Sequence, residues 1–177
     1  MRLFHFSDRD DIEVFRPRSP LRHPEVEPLV WAIDEVHMAM YLFPRDCPRI
    51  SAWPLEKGPA AMRLLIDCRF ETAWRSESLV QYEFEPAAPF EATEVPGVVI
   101  CREPLRPISK VVLPNLPEAV AKLGLAVEVV DSLSKASLEF YDPEARRFLR
   151  GWHVSMNRMS LLPDWDGEAG RPILPSL

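Results

Sequence analysis

Proline is the feature of this sequence that most restricts its fold, because 19 of the 177 residues are proline and only 6 are glycine. Proline fixes φ and has no N–H to donate, so it is excluded from the interior of helices and of central strands. Helices and strands must therefore fit between successive prolines. This spacing predicts short elements joined by stiff loops, above all over residues 17–28, which contain four prolines.

Apolar and polar residues alternate in several short runs between these prolines, which predicts strands. The clearest strand runs from Leu79 to Glu85, where Val80, Tyr82 and Phe84 share one face. Other strands are predicted at 2–6, 29–33, 50–53, 62–68, 98–102, 108–113, 125–130 and 147–156, and brief helices at 35–43, 71–76, 116–123 and 132–140. The pattern predicts an α+β fold of mixed, mainly antiparallel short strands with three or four short helices.

The length of the chain predicts one hydrophobic core. A chain of 20.3 kDa can bury a sizeable core but is too short for two independent ones. We therefore expect a single α+β domain over residues 1–162, followed by a C-terminal tail over residues 163–177.

The net charge limits the partners of the protein. A formal charge of −6 and a pI near 5.3 argue against nonspecific binding to nucleic acids and to anionic membranes, both of which need a dominant basic surface. A local basic cluster at Arg16, Arg18 and Arg22 still leaves room for a small anionic ligand.

The cysteines and histidines give no signal for a disulfide framework or a metal site. The three cysteines have no C-x-x-C spacing, and the histidines have no metal-ligand spacing with acids or thiols. The first ten residues include acids and no apolar segment, and no later apolar run approaches membrane-spanning length. We expect reduced thiols, no metal and a cytoplasmic location.

Five residues are candidates for binding a ligand. His5 and Ser7 lie two apart on a predicted strand and so point to the same side, where both could hydrogen-bond a ligand. Trp31 and Tyr41 offer flat rings that could stack on a base, and Arg45 lies in a stiff loop that could present its guanidinium to a phosphate. The structural alternatives are a backbone-bonded histidine, two core aromatics and a surface turn.

Glu103 is the candidate catalytic acid. It ends a predicted strand and is followed at once by Pro104, where the backbone must leave the ladder and a side chain can be directed into a cleft.

Three strings of residues carry a family resemblance: LFHFS, EPLVWAIDEVHMAMYLFPRDCPR and CREPLRPI. Together they resemble an uncharacterised bacterial family known only as a domain of unknown function, over residues 2–156. This resemblance implies no activity.

A more distant resemblance is to the ADP-ribosyltransferase-like fold, on the strings LFHFS and VWAIDEVHMAMY. It implies NAD as cofactor, with His5 and Ser7 on the ribose and amide and Tyr41 stacked on the nicotinamide. It also implies that Glu103 is the catalytic glutamate. In this chain the strand expected to carry that glutamate reads VVIC, and Glu103 follows it.

The leading hypothesis is a cleft that binds NAD or a related nucleotide, in which His5, Trp31, Tyr41 and Arg45 converge. Whether the protein is an enzyme stays open, because Glu103 is displaced from the expected position. The alternative is a non-enzymatic module that binds a protein partner or forms a homodimer.

Overall fold

The computed structural model describes residues 1–19, 27–141 and 151–165. Contacts within the chain divide it into two compact units. Unit 1 consists of Met1–Phe43 and Ser78–Leu116, and unit 2 consists of Pro44–Glu77 and Pro117–Leu177. Each unit therefore draws on two separate segments of the chain.

Short elements make up the described residues. The strands, in chain order, are β1 (Leu3–Ser7), β2 (Val30–Asp34), β3 (Arg49–Pro54), β4 (Arg63–Asp67), β5 (Leu79–Phe84), β6 (Glu91–Ala92), β7 (Val98–Cys101), β8 (Ser109–Leu113), β9 (Val127–Val130) and β10 (Trp152–Asn157). The α-helices are α1 (Glu71–Ser76), α2 (Leu116–Lys122) and α3 (Leu133–Tyr141). Short 3-10 helices lie at Met38–Tyr41, Pro59–Ala61, Cys68–Phe70 and Met159–Leu161.

Unit 1 is built on a six-stranded sheet in the order β6-β7-β2-β1-β5-β8, in which all neighbours are antiparallel. Two apolar clusters occupy its two faces. We call one the Tyr82 face, where Tyr82 and Phe84 pack with Phe15. The other is the Ile33 face, where Ile33 packs with Phe4 and Val98.

Unit 2 contains a four-stranded sheet in the order β10-β3-β4-β9. The β4–β9 pair is parallel, whereas β3 pairs with β4 and with β10 in the antiparallel sense. Leu133 and Phe140 of α3 pack with Ile50 and Leu65 of the sheet, and these apolar contacts form the core of the unit.

The structure confirms the predicted α+β class with mainly antiparallel short strands and short helices. The helix predicted at 35–43 is wrong, because that segment forms only the 3-10 helix Met38–Tyr41. Asp34 does cap this segment, since its Oδ1 accepts the N–H groups of Val36 and His37 at 3.0 and 2.8 Å. An amphipathic α-helix needs a solvent face, but residues 39, 40 and 42–44 are all buried.

Parts of three predicted segments lie outside the described residues: 20–26 of the proline-rich loop, with Arg22 and His23, 147–150 of the strand predicted at 147–156, and 166–177 of the tail. The start of that tail is described: Trp165 donates its N–H to Leu162, and Asp164 binds Arg69. The single domain over 1–162 stays a prediction. No helix in the described ranges has the length and apolar character needed to cross a membrane.

Candidate functional site

The register of the unit 1 sheet separates the predicted ligand-binding residues. Phe4 lies opposite Ile33, and His5 lies opposite Tyr82. Because side chains alternate along a strand, His5 and Ser7 point to the Tyr82 face, whereas Trp31 points to the Ile33 face. The expected convergence of these groups around one hollow is therefore wrong.

His5 contributes to the packing of the Tyr82 face. Its ring centroid lies 4.7 Å from that of Phe15, and its Nδ1 lies 2.8 Å from the carbonyl oxygen of Trp31. Because a carbonyl oxygen can only accept a hydrogen bond, Nδ1 must carry the proton in this contact. The imidazole is thereby held in one orientation against the aromatic cluster.

Ser7 shapes the turn that follows β1. Its buried Oγ accepts the backbone N–H of Arg9 at 3.1 Å and donates to Asp8 at 3.4 Å. These are local turn contacts of the kind that serine commonly makes with the backbone two residues on. Ser7 therefore directs the chain into the segment that begins at Arg9.

Trp31 and Tyr41 both belong to the Ile33 face. Trp31 is 38% exposed on β2, and half-buried Tyr41 packs against the cluster of Phe4, Ile33 and Val98. Tyr41 thus contributes to the core of the unit, as the structural alternative predicts, whereas the indole of Trp31 is partly exposed.

Arg45 lies in unit 2, in the loop that precedes β3. The loop is fixed by a hydrogen bond from Arg158 Nε to the Arg45 carbonyl oxygen, 3.1 Å long. Nearby Cys47 is buried, and this burial raises the pKa of its thiol to about 12. The thiolate that a nucleophilic cysteine needs is therefore scarce at neutral pH.

Glu103 is exposed in the turn that follows β7. Its backbone N–H donates to Cys101 Sγ at 3.3 Å, which fixes the turn. Two residues later, Leu105 and Phe15 exchange two backbone hydrogen bonds of 2.8 and 2.9 Å. The segment that carries Glu103 thus runs directly into the segment that carries Phe15.

The segment from Arg9 to Arg18 lines a cleft of about 300 Å³, which we call the Phe15 cleft. Phe15 is buried, and its ring contacts those of Tyr82 and Phe84 edge-on at 5.1 Å, so this wall of the cleft is anchored in the core. Bridges hold the segment at two points, from Phe15 to Leu105 and from Arg18 to Leu29. The cleft is therefore built on a fixed backbone.

The charges in the Phe15 cleft favour an anion. Arg9 is neutralised by Asp11, whose carboxylate accepts two hydrogen bonds of 2.9 and 2.8 Å. These bonds hold the pKa of Asp11 below its usual value. Arg16 and Arg18 are exposed and form no ion pair within the part of the chain that the structure describes, and Glu13 is the remaining acid in the lining.

The sequence contained part of this signal. The basic cluster at Arg16, Arg18 and Arg22 left room for a small anionic ligand, but none of the three was a predicted site residue. Phe15 was not a predicted site residue either, because no local pattern distinguishes it. No group of three or more metal-ligating side chains occurs in residues 1–19, 27–141 and 151–165.

Comparison with known proteins gives a family and no activity. No curated protein and no solved structure shows significant similarity to the chain. A model of a protein family of unknown function, DUF6886, matches residues 4–143 and so covers most of the sequence. The chain therefore belongs to the family of unknown function DUF6886.

Proposed function

We propose that unit 1 binds a small phosphate-bearing ligand, of which NAD and related nucleotides are examples, in the Phe15 cleft. The observation that carries the proposal is the pair of guanidinium groups at Arg16 and Arg18. They line a cleft of about 300 Å³, and neither forms an ion pair with a carboxylate of the described residues. Two such groups two residues apart can contact adjacent phosphate oxygens.

The size and the wall of the cleft support this class of ligand. Small-molecule pockets usually begin at about 300 Å³, so the cleft can hold a pyrophosphate with a sugar more readily than a complete dinucleotide. The half-buried side chains of Ile12 and Val14 supply apolar surface for the sugar or base, and buried Phe15 anchors the segment between them and the core. In a chain with a net charge of −6, a local excess of arginine is a specific feature of this segment.

The sequence-predicted residues take different places in this proposal. His5 positions Phe15, Ser7 sets the turn before Arg9, and Glu103 lies in the turn that leads to Leu105. Trp31 and Tyr41, on the Ile33 face, and Arg45, in unit 2, are not part of the proposed cleft.

A thermal-shift titration tests the proposal. ADP-ribose, NAD and pyrophosphate should each raise the Tm of the wild type, whereas nicotinamide, which has no phosphate, should not. The Arg16→Ala/Arg18→Ala variant should lose the shift because it lacks both free guanidinium groups. The matched control is Arg106→Ala, which removes another exposed arginine of unit 1 outside the cleft and should keep it.

Two results would reject the proposal: no shift for the wild type at millimolar ligand, or the same shift in the double variant. Transfer of ADP-ribose is a separate step and would need a carboxylate to stabilise the developing positive charge. Glu103→Gln should then abolish release of nicotinamide from NAD and leave the Tm unchanged. If release persists in that variant, Glu103 is not the acid.

A homodimeric interaction module is the second candidate function. The proline-rich loop at 17–28 is a segment of the kind that docks a protein partner, but its residues 20–26 lie outside the described residues. The observation that now favours it is independent of the Phe15 cleft and concerns the edge of the unit 1 sheet.

A further inference from the structure

Strand β8 forms an apolar edge of the unit 1 sheet. It pairs with β5 on one side and is the last strand in the order β6-β7-β2-β1-β5-β8. Its two valines, Val111 and Val112, point to opposite faces and are each 54% exposed, and Ile108 just before the strand is 56% exposed. In an antiparallel ladder every second residue of such a strand directs its N–H and C=O groups away from the sheet.

The two edges of this sheet differ in protection. At the opposite edge, β6 is only two residues long, and Arg102 forms ion pairs there with Glu91 and Glu27. Short length and charge are the usual means by which proteins prevent edge-to-edge pairing. Strand β8 is longer, at five residues, and Lys110 is its one charged residue.

That lysine does not guard the edge. Lys110 extends its Nζ to the backbone carbonyl oxygen of Asp10, so its charge is held over the Tyr82 face. Lysine normally protects an edge strand by projecting its charge into the path of an incoming strand. Here the charge of Lys110 is held by a contact within the same unit. Val111 and Val112 are therefore the exposed apolar side chains that β8 presents at the edge.

We infer that β8 is a homodimer interface, in which the β8 strands of two copies pair in the antiparallel sense about a two-fold axis. Proline has no N–H to donate, so Pro107 and Pro114 limit the strand that can pair to residues 108–113. A two-fold axis perpendicular to the sheet keeps each residue on the same face in both copies, and directly opposite side chains share a face. The axis must therefore lie where one residue is opposite the same residue of the second copy. Pairing of all five residues of Ser109–Leu113 then places the axis at Val111.

This register is free of charge conflict. Val111 lies opposite Val111 of the second copy, Lys110 opposite Val112, and Ser109 opposite Leu113. Apolar β-branched pairs are favourable directly across an antiparallel ladder, whereas a lysine opposite a lysine is not. Moving the axis to residue 110 would bring two lysines together, and moving it to residue 112 would leave only Val111, Val112 and Leu113 paired within the strand. The charge and the length of β8 together therefore favour the axis at Val111. A second copy is therefore the occupant that fits the edge.

Sedimentation of the full chain tests the inference. The wild type should show a mass of twice 20.3 kDa that falls towards 20.3 kDa on dilution. Val111→Lys places two charges opposite each other at the axis and should raise the dimer dissociation constant by about tenfold or more. Val36→Lys changes another exposed valine of unit 1 away from the edge and should dimerise like the wild type.

Cysteine cross-linking tests the register without depending on a charged variant. In a Cys68→Ser background, which removes the exposed native thiol, Val111→Cys should form an intermolecular disulfide under a mild oxidant. The reason is that residues directly opposite have Cβ atoms about 5 Å apart. Ser109→Cys places the two thiols four residues from each other along the ladder and should not cross-link.

Three outcomes would overturn the inference. They are a wild type that stays monomeric at sub-millimolar concentration, a Val111→Lys variant that folds and dimerises normally, and equal cross-linking at positions 109 and 111. Loss of the dimer in Val111→Lys together with selective cross-linking at position 111 would establish the interface. Neither measurement depends on ligand binding in the Phe15 cleft.

Discussion

At the scale of single residues, Asp67 is a carboxylate held by hydrogen bonds from both a side chain and the backbone. Its side chain is fully buried at the end of β4 and accepts two hydrogen bonds from the Arg69 guanidinium, of 2.6 and 2.7 Å. It also accepts the backbone N–H groups of Arg69 and of Leu133, the first residue of α3. One carboxylate thus connects the sheet of unit 2 to the start of its main helix.

We predict that Asp67→Asn lowers the free energy of unfolding by about 2 kcal/mol, because it weakens the bonds to Arg69 within a buried site. Urea unfolding followed by circular dichroism measures this loss. Asp164→Asn is a matched control, since Asp164 binds the same guanidinium from a side chain that is 42% exposed. It should cost less than about 1 kcal/mol, and equal losses would contradict the role of burial.

Because of these contacts, the stability lost in Asp67→Asn depends on pH. Hydrogen bonds from Arg69 lower the pKa of Asp67 to about 2, against an ordinary value of 3.8. A group whose pKa falls on folding stabilises the protein above its ordinary pKa and loses that contribution as the pH falls through its folded pKa. The stability difference between wild type and Asp67→Asn should therefore shrink as the pH is lowered from 5 to about 2. A constant difference would argue against this assignment.

At the scale of elements, the junction between the end of β2 and the turn before β7 depends on one glycine. Gly97 has a φ of +78° and accepts the backbone N–H of Asp34 at 2.9 Å. Asp34 in turn binds His37 Nδ1 at 2.8 Å. A Cβ added at Gly97 would come within 3.0 Å of three atoms of the His37 side chain. The turn thus requires glycine for its conformation and for its lack of a side chain.

We predict that Gly97→Ala lowers the free energy of unfolding by about 3 kcal/mol, combining backbone strain with displacement of His37. Gly124→Ala is the control, because Gly124 has a similar φ of +73° but open space around the added methyl group. It should cost only about 1 kcal/mol. Denaturant unfolding of both variants gives the comparison, and similar losses would show that the His37 contact is easily relieved.

At the scale of the whole molecule, neither unit is a continuous piece of chain. Unit 1 is interrupted by residues 44–77, which supply β3 and β4 to unit 2, and unit 2 takes β9 and β10 from after residue 117. Completing either sheet therefore needs segments that are distant in sequence. The single domain over residues 1–162 is a prediction that the cooperativity of unfolding can test.

We therefore predict a single cooperative thermal transition for the full chain. Differential scanning calorimetry should give a calorimetric enthalpy equal to the van't Hoff enthalpy, which is the criterion for two-state unfolding. Asp67→Asn in unit 2 and Gly97→Ala in unit 1 should each lower the Tm of that one transition. Two resolved transitions, each sensitive to only one of the variants, would contradict the single domain.

Much of the secondary structure could be predicted because its signals are local. The alternation at Val80, Tyr82 and Phe84 located β5, the residues from Glu71 to Ser76 form the expected helical turn, and α2 and α3 lie where predicted. The segment after Asp34 was misjudged because its apolar residues are buried on several sides rather than along one helical stripe. The spacing of apolar residues predicts an amphipathic helix only where the other side of that helix is exposed to solvent.

The candidate site was harder to predict because it depends on pairing between distant strands. His5 and Trp31 were each recognised as candidates, yet the register of β1 with β2 and β5 places them on opposite faces. Phe15 became a wall of the cleft through its bridge to Leu105, 90 positions away in the chain, which no local pattern reveals.

The sequence alone determined where most of the short strands and helices lie, because proline positions and two-residue alternation act over a few neighbouring residues. Only the tertiary structure decided which strands pair, that β9 joins β4 in the parallel sense, and that β8 is left at an edge. The physical reason is that a one-residue change of register exchanges the two faces of a strand. Pairing partner and register therefore decide which side chains meet, and both are set by packing over the whole unit.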